Sequence, residues 1–228
     1  MIKAVIFDLD NTLVDFWAFK TKSVGSAIKA MIKAGLKINR KKSMKIINRL
    51  YKRHGMEYKY IFQEMLEETY GRVDWRILAH GLVAYRKTRG NLLSPYKGVK
   101  PTLKKLKQKG YKLAIISDAP RLKAWIRLAS MNIAEIFDAV VTFDDTGKRK
   151  PHSLPFKLIV KKLGIKPHES IMVGDNAKRD ITGARKAGMK TVFARYGCAG
   201  RIKKAYADFE IQKIEDLLDV IKGLEKKV

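Results

Sequence analysis

Two aspartates that could share one ligand stand directly after the first apolar segment of the sequence. Asp8 and Asp10 follow residues 2–7 in the stretch DLDNT. Side chains two residues apart on an extended backbone point the same way. Carboxylates this close repel each other unless a cation, a shared proton or a difference in environment separates their roles. Mg²⁺, which prefers oxygen ligands, would provide that separation.

Complementary polar groups follow other apolar segments. Ser117 could donate its hydroxyl, together with a neighbouring backbone N–H, to a phosphoryl oxygen. Asp175 could complete a metal site, Asp180 could orient the residues around it, and Lys150 could supply positive charge. Each residue alone has an ordinary explanation, as a turn serine, a helix N-cap or a solvated lysine. Their order along the chain favours a shared site.

The segments that carry these residues alternate between strand and helix patterns. Short apolar runs predict strands at 2–7, 111–116, 139–143, 170–173 and 190–194. Helical patterns lie near 121–130, 153–163, 177–187 and 215–226, and a further helix has Pro101 in its first turn and Gly110 just past its end. This alternation predicts a doubly wound α/β fold, Rossmann-like, with a mainly parallel sheet. Such sheets bind ligands at the carboxyl ends of their strands.

An all-helical insertion interrupts this alternation after the first strand. Four helical stretches and no strand pattern occur between residues 15 and 93. We therefore predict a core of residues 1–14 and 94–228 and a helical domain of residues 15–93. A helical insertion that leaves the sheet after its first strand is expected to lie over the carboxyl edge and act as a lid.

At these positions the sequence resembles the haloacid dehalogenase superfamily of aspartate-nucleophile phosphohydrolases. The DxDxT pattern at Asp8, Ser117 after an apolar strand, and the Lys150-Pro151 pair resemble the first three family motifs. Gly174-Asp175, with Asp180 following, resembles the fourth. The insertion resembles the family's first-class helical cap, and the likeness extends from residue 2 to about residue 194.

The resemblance implies a Mg²⁺-dependent phosphatase that forms an aspartyl phosphate on Asp8. Asp10 would be the general acid and base. The resemblance implies a metal site formed by Asp8, Asp175 and the main-chain carbonyl of Asp10. Lys150, Ser117 and the backbone of Asp118 would bind the phosphate. The expected supporting residues are Thr12, Gly174, Asn176 and Asp180.

Two positions leave open questions within this resemblance. Many relatives have asparagine where this chain has Asp118, which affects the site only if the side chain takes part. Lys148 and Arg149 adjoin Lys150, and Pro151 is what selects Lys150 among the three cations. The same scaffold also supports 2-haloacid dehalogenation and phosphomutase chemistry. Asp10 argues against the dehalogenase, whereas the sequence leaves the phosphomutase open.

Composition defines the remaining expectations. The formal net charge is +27, which raises a basic nucleic-acid-binding protein on this core as a non-enzymatic alternative. The complete set of acidic and basic site residues argues against an idle core, so we expect a small phosphorylated metabolite as the partner. Abundant lysine and few amides are typical of a thermophilic source. Nothing in the sequence indicates an oligomeric state.

The sequence also bears on cellular location and on cysteine chemistry. The amino terminus lacks the features of a signal peptide, and no apolar run approaches the roughly 20 residues that span a bilayer. We therefore expect a cytoplasmic protein that has no membrane partner. Cys198 is the only cysteine, so an intrachain disulfide is impossible. The four histidines have no metal-ligand spacing.

Overall fold

The computed structural model describes residues 1–90, 93–198, 200 and 204–225. The chain forms two compact units. The first contains Met1–Phe16 and Ser94–Val228, and the second contains Trp17–Leu93. None of the helices in the described ranges combines the length and apolarity needed to cross a membrane.

The second unit is all-helical, as the sequence pattern predicts. Its helices are α1 (Phe16–Lys33), α2 (Arg40–His54), α3 (Ile61–Tyr70) and α4 (Trp75–Gly90), the first of which begins at the last residue of the first unit. They share one apolar core that includes Ile28, Leu50 and Leu66. A turn separates α2 from α3, where the Tyr58 N–H donates to the Gly55 carbonyl at 3.2 Å, and α3 begins at Ile61.

The first unit is built on a six-stranded parallel sheet, which confirms the predicted fold class. Its strands are β1 (Ala4–Phe7), β2 (Lys112–Ile116), β3 (Ala139–Val141), β4 (Ser170–Gly174), β5 (Lys190–Ala194) and β6 (Phe209–Ile211). The strand order is β3-β2-β1-β4-β5-β6. β1 is buried along its whole length between β2 and β4. This central position explains why its sequence is apolar without alternation.

Helices connect these strands in the predicted places. They are α5 (Val99–Gln108), α6 (Arg121–Ser130), α7 (Phe143–Thr146), α8 (Ser153–Leu163), α9 (Thr182–Lys186) and α10 (Leu217–Glu225). The ends of α6 and α8 agree with the sequence pattern. The helix predicted over 177–187 instead begins as a π-helical turn, Ala177–Ile181, before α9.

Two strand predictions need correction. The third strand ends at Val141 rather than at residue 143, because Thr142 and Asp145 form a capping box that starts α7. The Thr142 hydroxyl and backbone N–H both donate to Asp145 Oδ2, at 2.6 and 2.8 Å. The edge strand β6 was not predicted, since three residues with mixed exposure give no apolar run.

Candidate active site

The site lies where the three neighbouring strands β1, β2 and β4 end. Phe7, the last residue of β1, is in register with Ile115 of β2 and Val173 of β4. The loops that follow therefore begin at the same edge of the sheet. The parallel topology brings Asp8, Ser117 and Asp175, which are far apart in sequence, to one place.

Asp8 is buried and both of its carboxylate oxygens are engaged. Oδ1 contacts the Lys150 amine. Oδ2 lies 3.2 Å from the Thr12 hydroxyl, which also lies 3.4 Å from Asp175 Oδ1 and can donate to one of the two at a time. The backbone N–H of Asp175 donates to the same Thr12 oxygen at 3.1 Å. Thr12 thus links the loops after β1 and β4.

Lys150 is the one member of the cation run 148–150 whose side chain is buried in the site. Lys148 and Arg149 are exposed. The Lys150 amine lies 2.7 Å from Asp180 Oδ1 and donates to the Ile116 carbonyl at 2.9 Å. Burial lowers the pKa of this amine, but nearby carboxylates, Asp180 foremost, raise the pKa by more. The net pKa lies above its ordinary value, so Lys150 is charged at neutral pH.

Three buried carboxylates form an acidic cluster. One ligand oxygen from each of Asp8, Asp175 and Asp180 lies within 4.8 Å of the others. Burial, reinforced by the charges of Asp8 and Asp180, raises the pKa of Asp175 to about 8. Burial also raises the pKa of Asp180 to about 6, against the opposing effect of Lys150. A cation that binds here would relieve this repulsion.

The donor set fits Mg²⁺. All three groups are carboxylates, the hard oxygen ligands that Mg²⁺ prefers. Asp180 already has both oxygens engaged, by the Lys150 amine at 2.7 Å and by the Asn176 N–H at 2.9 Å. Asp8 is likewise contacted at both oxygens, so these contacts do not choose between the carboxylates, and Asp8 and Asp175 are the two that the family resemblance implies as ligands.

The loop after β4 is compact around Gly174. A Cβ atom on Gly174 would lie 2.5 Å from the carboxylate carbon of Asp180, so only glycine permits this approach. Asn176 Oδ1 accepts from the Arg179 N–H at 2.9 Å, which begins the π-helical turn. These contacts hold Asp180 in its place in the acidic cluster and give Gly174 and Asn176 a local structural role.

The loop after β2 contributes Ser117 and Asp118. The buried Ser117 hydroxyl oxygen accepts from the Ala119 N–H at 3.2 Å, and this bond does not use the hydroxyl proton. The Asp118 side chain accepts from the Lys150 N–H at 2.9 Å and pairs with Arg179 Nη1 at 3.2 Å. The family resemblance implies a role only for the Asp118 backbone. Its side chain also joins the loops after β2 and β4 to Lys150.

Asp10 has a partner that sequence reasoning missed. Arg127 of α6 lies with Nη1 3.1 Å from Asp10 Oδ2. The Arg127 side chain is buried, with its guanidinium 4.3 Å from the ring centre of Phe16. A buried arginine on the otherwise apolar buried face of α6 was the available signal.

Two further residues, Tyr196 and Gly197, follow β5 and contact the loop after β1, and the sequence pattern predicts neither of them. The Tyr196 hydroxyl donates to the Thr12 carbonyl at 2.7 Å. A Cβ atom on Gly197 would lie 1.6 Å from the Asn11 carbonyl oxygen, so the loops after β1 and β5 are in close contact. Asn11 adopts a positive φ of 64°, which asparagine tolerates better than most residues.

Comparison with known proteins agrees with this geometry. A family model described as haloacid dehalogenase-like hydrolase matches residues 5–194. The glyceraldehyde 3-phosphate phosphatase of Methanocaldococcus jannaschii is 35% identical over 227 residues, covering 99% of this chain and 100% of that protein. The pyrophosphatase PpaX of Halalkalibacterium halodurans is 30% identical over 226 residues, covering 96% of this chain and 97% of that protein.

A solved structure shares the fold. The crystal structure of a HAD phosphatase from Thermococcus onnurineus superposes with a TM-score of 0.68 at 25% identity, covering 97% of this chain and 99% of that one. The family model and the full-length relatives confirm the resemblance inferred from the motifs. This chain belongs to the haloacid dehalogenase-like hydrolase family.

Proposed function

We propose that this protein is a Mg²⁺-dependent phosphatase that hydrolyses the phosphate monoester of a small metabolite through an aspartyl phosphate on Asp8. The observation that carries the proposal is the fixed carboxylate of Asp8. The Lys150 amine contacts one of its oxygens, and the Thr12 hydroxyl lies 3.2 Å from the other. A nucleophile needs such orientation, and charge on the phosphoryl oxygens needs the adjacent cation.

In the first half-reaction, an Asp8 oxygen attacks phosphorus and forms an O–P bond while the bond to the leaving oxygen breaks. The Lys150 amine offsets charge on the phosphoryl oxygens, and the Ser117 hydroxyl with the Asp118 N–H binds them. Asp10 gives its proton to the departing alkoxide. The products are the alcohol and phosphorylated Asp8.

In the second half-reaction, water hydrolyses the phosphorylated enzyme. Asp10, now a carboxylate, takes a proton from the water as its oxygen attacks phosphorus. The Asp8–phosphorus bond breaks, and inorganic phosphate leaves. Arg127, with Nη1 3.1 Å from Asp10 Oδ2, helps to position this side chain.

Asp8, Asp175 and the Asp10 main-chain carbonyl would hold the Mg²⁺. When bound, the ion supplies positive charge that offsets both the acidic cluster and the phosphate. Thr12, Gly174, Asn176 and Asp180 would keep the carboxylates in place. The helical unit would act as the lid, which remains a prediction from its place in the sequence.

Glyceraldehyde 3-phosphate is the first substrate to test. A relative that covers the whole chain at 35% identity is named for that activity. Pyrophosphate is the second, because a relative at 30% identity is named a pyrophosphatase. Both fit a site that binds one phosphoryl group at Asp8.

The test measures release of inorganic phosphate from a panel of small phosphate esters and pyrophosphate, with Mg²⁺ and after exhaustive chelation. We expect Mg²⁺-dependent release that Asp8→Asn abolishes and beryllium trifluoride inhibits. Turnover that survives chelation, or an Asp8→Asn variant that retains more than a few per cent of activity, would contradict the proposal. Phosphoryl transfer to a second sugar hydroxyl without release of phosphate would indicate a phosphomutase. Release of halide from a 2-haloacid would indicate a dehalogenase.

A further inference from the structure

The helical unit contains a long segment without acidic residues. Residues 16–56 include twelve lysines and arginines and no aspartate or glutamate. If the 22 acidic residues of the 228-residue chain were evenly spread, a segment of this length would hold about four. This segment forms α1 and α2. Its charge is therefore a local feature in addition to the net charge of the whole chain.

The charges of this segment lie on the surface. Nine of the twelve cations are exposed and make no ion pair with any residue that the structure describes. The exceptions are Lys20, which is buried, and Arg49 and Arg53, which pair with Glu68 and Glu64 of α3. The acidic side chains of this unit thus neutralise only the part of α2 that faces α3.

The amino-terminal turn of α2 carries cations at the end of the helix where the helix dipole is already positive. It begins with Arg40, Lys41 and Lys42 and contains no acidic residue. The amino-terminal end of a helix carries partial positive charge, so cations there repel it. Only the Asn39 side chain offsets this, as the N-cap that accepts from the Lys42 N–H. An anionic partner would remove the repulsion.

Along α2 the exposed lysines form a stripe. Lys41, Lys45 and Lys52 lie at helical spacing and are all exposed. At about 1.5 Å per residue they span roughly 16 Å of the helix axis. One strand of duplex DNA presents about five phosphates over that length, at roughly 3.4 Å each.

A groove lined by residues of α1, by Arg40 at the start of α2 and by Thr88 of α4 carries further cations. It has a volume of about 500 Å³ and includes Lys22, Lys29 and Arg40 in its lining. The hydroxyl-bearing residues Ser26 and Thr88 also line it. Lysine, arginine and hydroxyl side chains are the groups that contact nucleic-acid phosphates. We define the basic surface as this groove together with the α2 stripe.

We propose that the basic surface binds the phosphate backbone of double-stranded nucleic acid. This proposal does not depend on the proposed phosphatase activity. Single strands are bound through exposed aromatic side chains on which bases stack, and none of the residues that define the basic surface is aromatic. The surface offers cations and hydroxyls, the groups that contact the phosphates of a duplex backbone, and such contacts carry no base readout.

The test compares two triple variants that remove equal charge. Lys41→Gln/Lys45→Gln/Lys52→Gln changes the basic surface. Lys100→Gln/Lys104→Gln/Lys105→Gln changes exposed lysines of α5. Each takes the net charge from +27 to +24, since 27 minus 3 is 24. Fluorescence anisotropy with a 20-base-pair duplex, as DNA and as RNA, measures affinity between about 50 and 200 mM salt.

We expect the intact protein to bind a duplex at 150 mM salt. The α2 variant should lower the slope of log affinity against log salt by about 2.7, which is 0.9 for each of three phosphate contacts, and the α5 variant should change it much less. Comparison of the affinities for the DNA and the RNA duplex shows which of the two the surface prefers. Equal losses in both variants, absence of binding at 150 mM salt, or tighter binding to phosphatidylserine vesicles than to either duplex would overturn the proposal. Unchanged circular dichroism shows that both variants fold.

Discussion

Lys150 is the residue on which the buried charges of the site converge. Its amine contacts Asp8, Asp180 and the Ile116 carbonyl. Lys150→Ala would leave two buried carboxylates without their cation, which typically costs about 3–5 kcal/mol. We expect an activity loss of at least about 100-fold, because charge on the phosphoryl group would also lose its counterion. Steady-state turnover with Mg²⁺ and denaturant unfolding measure the two effects.

Lys148→Ala is the matched control, since this side chain is exposed. Its unfolding free energy should stay within about 0.5 kcal/mol of the unmodified protein, as surface substitutions usually do. Turnover should be nearly unchanged. Equal losses in the two variants would show that Lys150 is not the cation of the site.

The role of Asp10 in proton transfer can be tested by comparing two classes of substrate on one variant. Asp10→Asn should slow hydrolysis of alkyl phosphates by about 10²- to 10⁴-fold, or about 3–5 kcal/mol of barrier, because an alkoxide needs a proton as it leaves. Aryl phosphates with acidic leaving groups should lose distinctly less. Single-turnover rates of phosphorylation on both substrates give the comparison.

The ion pair with Arg127 supplies the competing hypothesis for Asp10. Asparagine would leave the buried guanidinium of Arg127 without its 3.1 Å carboxylate partner, which could disturb the loop whatever the substrate. A purely structural role for Asp10 therefore predicts the same factor for alkyl and aryl substrates. Equal factors for the two substrates would show that another residue is the general acid.

The sequence predicted the residues at strand ends better than those on helices. Asp8, Ser117 and Asp175 each follow an apolar run, and parallel topology brings such positions together without further information. Arg127 contacts Asp10 from the last turn of α6, and no rule of spacing connects a loop after β1 with a helix more than a hundred residues later. Only the tertiary packing of α6 reveals that pair.

Among the secondary-structure elements, length and position in the sheet determine what the sequence reveals. Central strands such as β1 are buried on both faces, so their apolar runs are unbroken. β6 is a three-residue edge strand with one buried residue, and it has no such run. The start of α7 was readable in principle, because Thr142 and Asp145 have the spacing of a capping box.

The loops after β1 and β5 are in close contact at Gly197. Replacing glycine by alanine should therefore destabilise the protein at Gly197 but stabilise it at Gly223. Gly197→Ala would place a Cβ atom 1.6 Å from the Asn11 carbonyl oxygen, so the loop that carries Asp8 and Asp10 must shift. We expect destabilisation of about 1–3 kcal/mol, typical of overpacking, and reduced turnover. Thermal unfolding and steady-state turnover measure both.

Gly223→Ala is the matched substitution. Gly223 is an exposed residue of α10, and a Cβ atom there would meet nothing within 4 Å. Alanine is favoured over glycine inside a helix by about 0.5–1 kcal/mol, so this variant should be more stable and equally active. A Gly197→Ala variant that behaves like Gly223→Ala would show that the two loops are not in contact.

For the whole molecule, the acidic cluster makes stability depend on pH and Mg²⁺ together. The pKa of Asp175 is raised to about 8 and that of Asp180 to about 6, above the values near 4 in the unfolded chain. Between pH 4 and 8 these two carboxyl groups therefore bind more protons in the folded protein than in the unfolded chain. Without metal, these two groups lower the unfolding free energy as pH rises through that range.

Mg²⁺ should reverse this trend, because it binds the ionised carboxylates and protons compete with it. At 100 times its Kd the ion would add about 2.7 kcal/mol, equivalent to a rise of roughly 5–10 °C in Tm for a chain of this size. We expect the difference in Tm between samples with Mg²⁺ and with chelator to be small at pH 5 and to grow toward pH 8.

Glu169 does not imitate this effect, because its pKa moves the other way. The pKa of Glu169 is lowered to about 2, mainly by the Lys166 N–H, so its contribution to stability is lost only as pH falls below about 4.5. Differential scanning fluorimetry between pH 5 and 8 therefore isolates the cluster. Asp175→Asn should remove the growth of the Mg²⁺ shift with pH, whereas Asp219→Asn, which neutralises an exposed carboxylate of α10, should preserve it. A Mg²⁺ shift that is independent of pH, or that persists in Asp175→Asn, would place the ion away from this cluster.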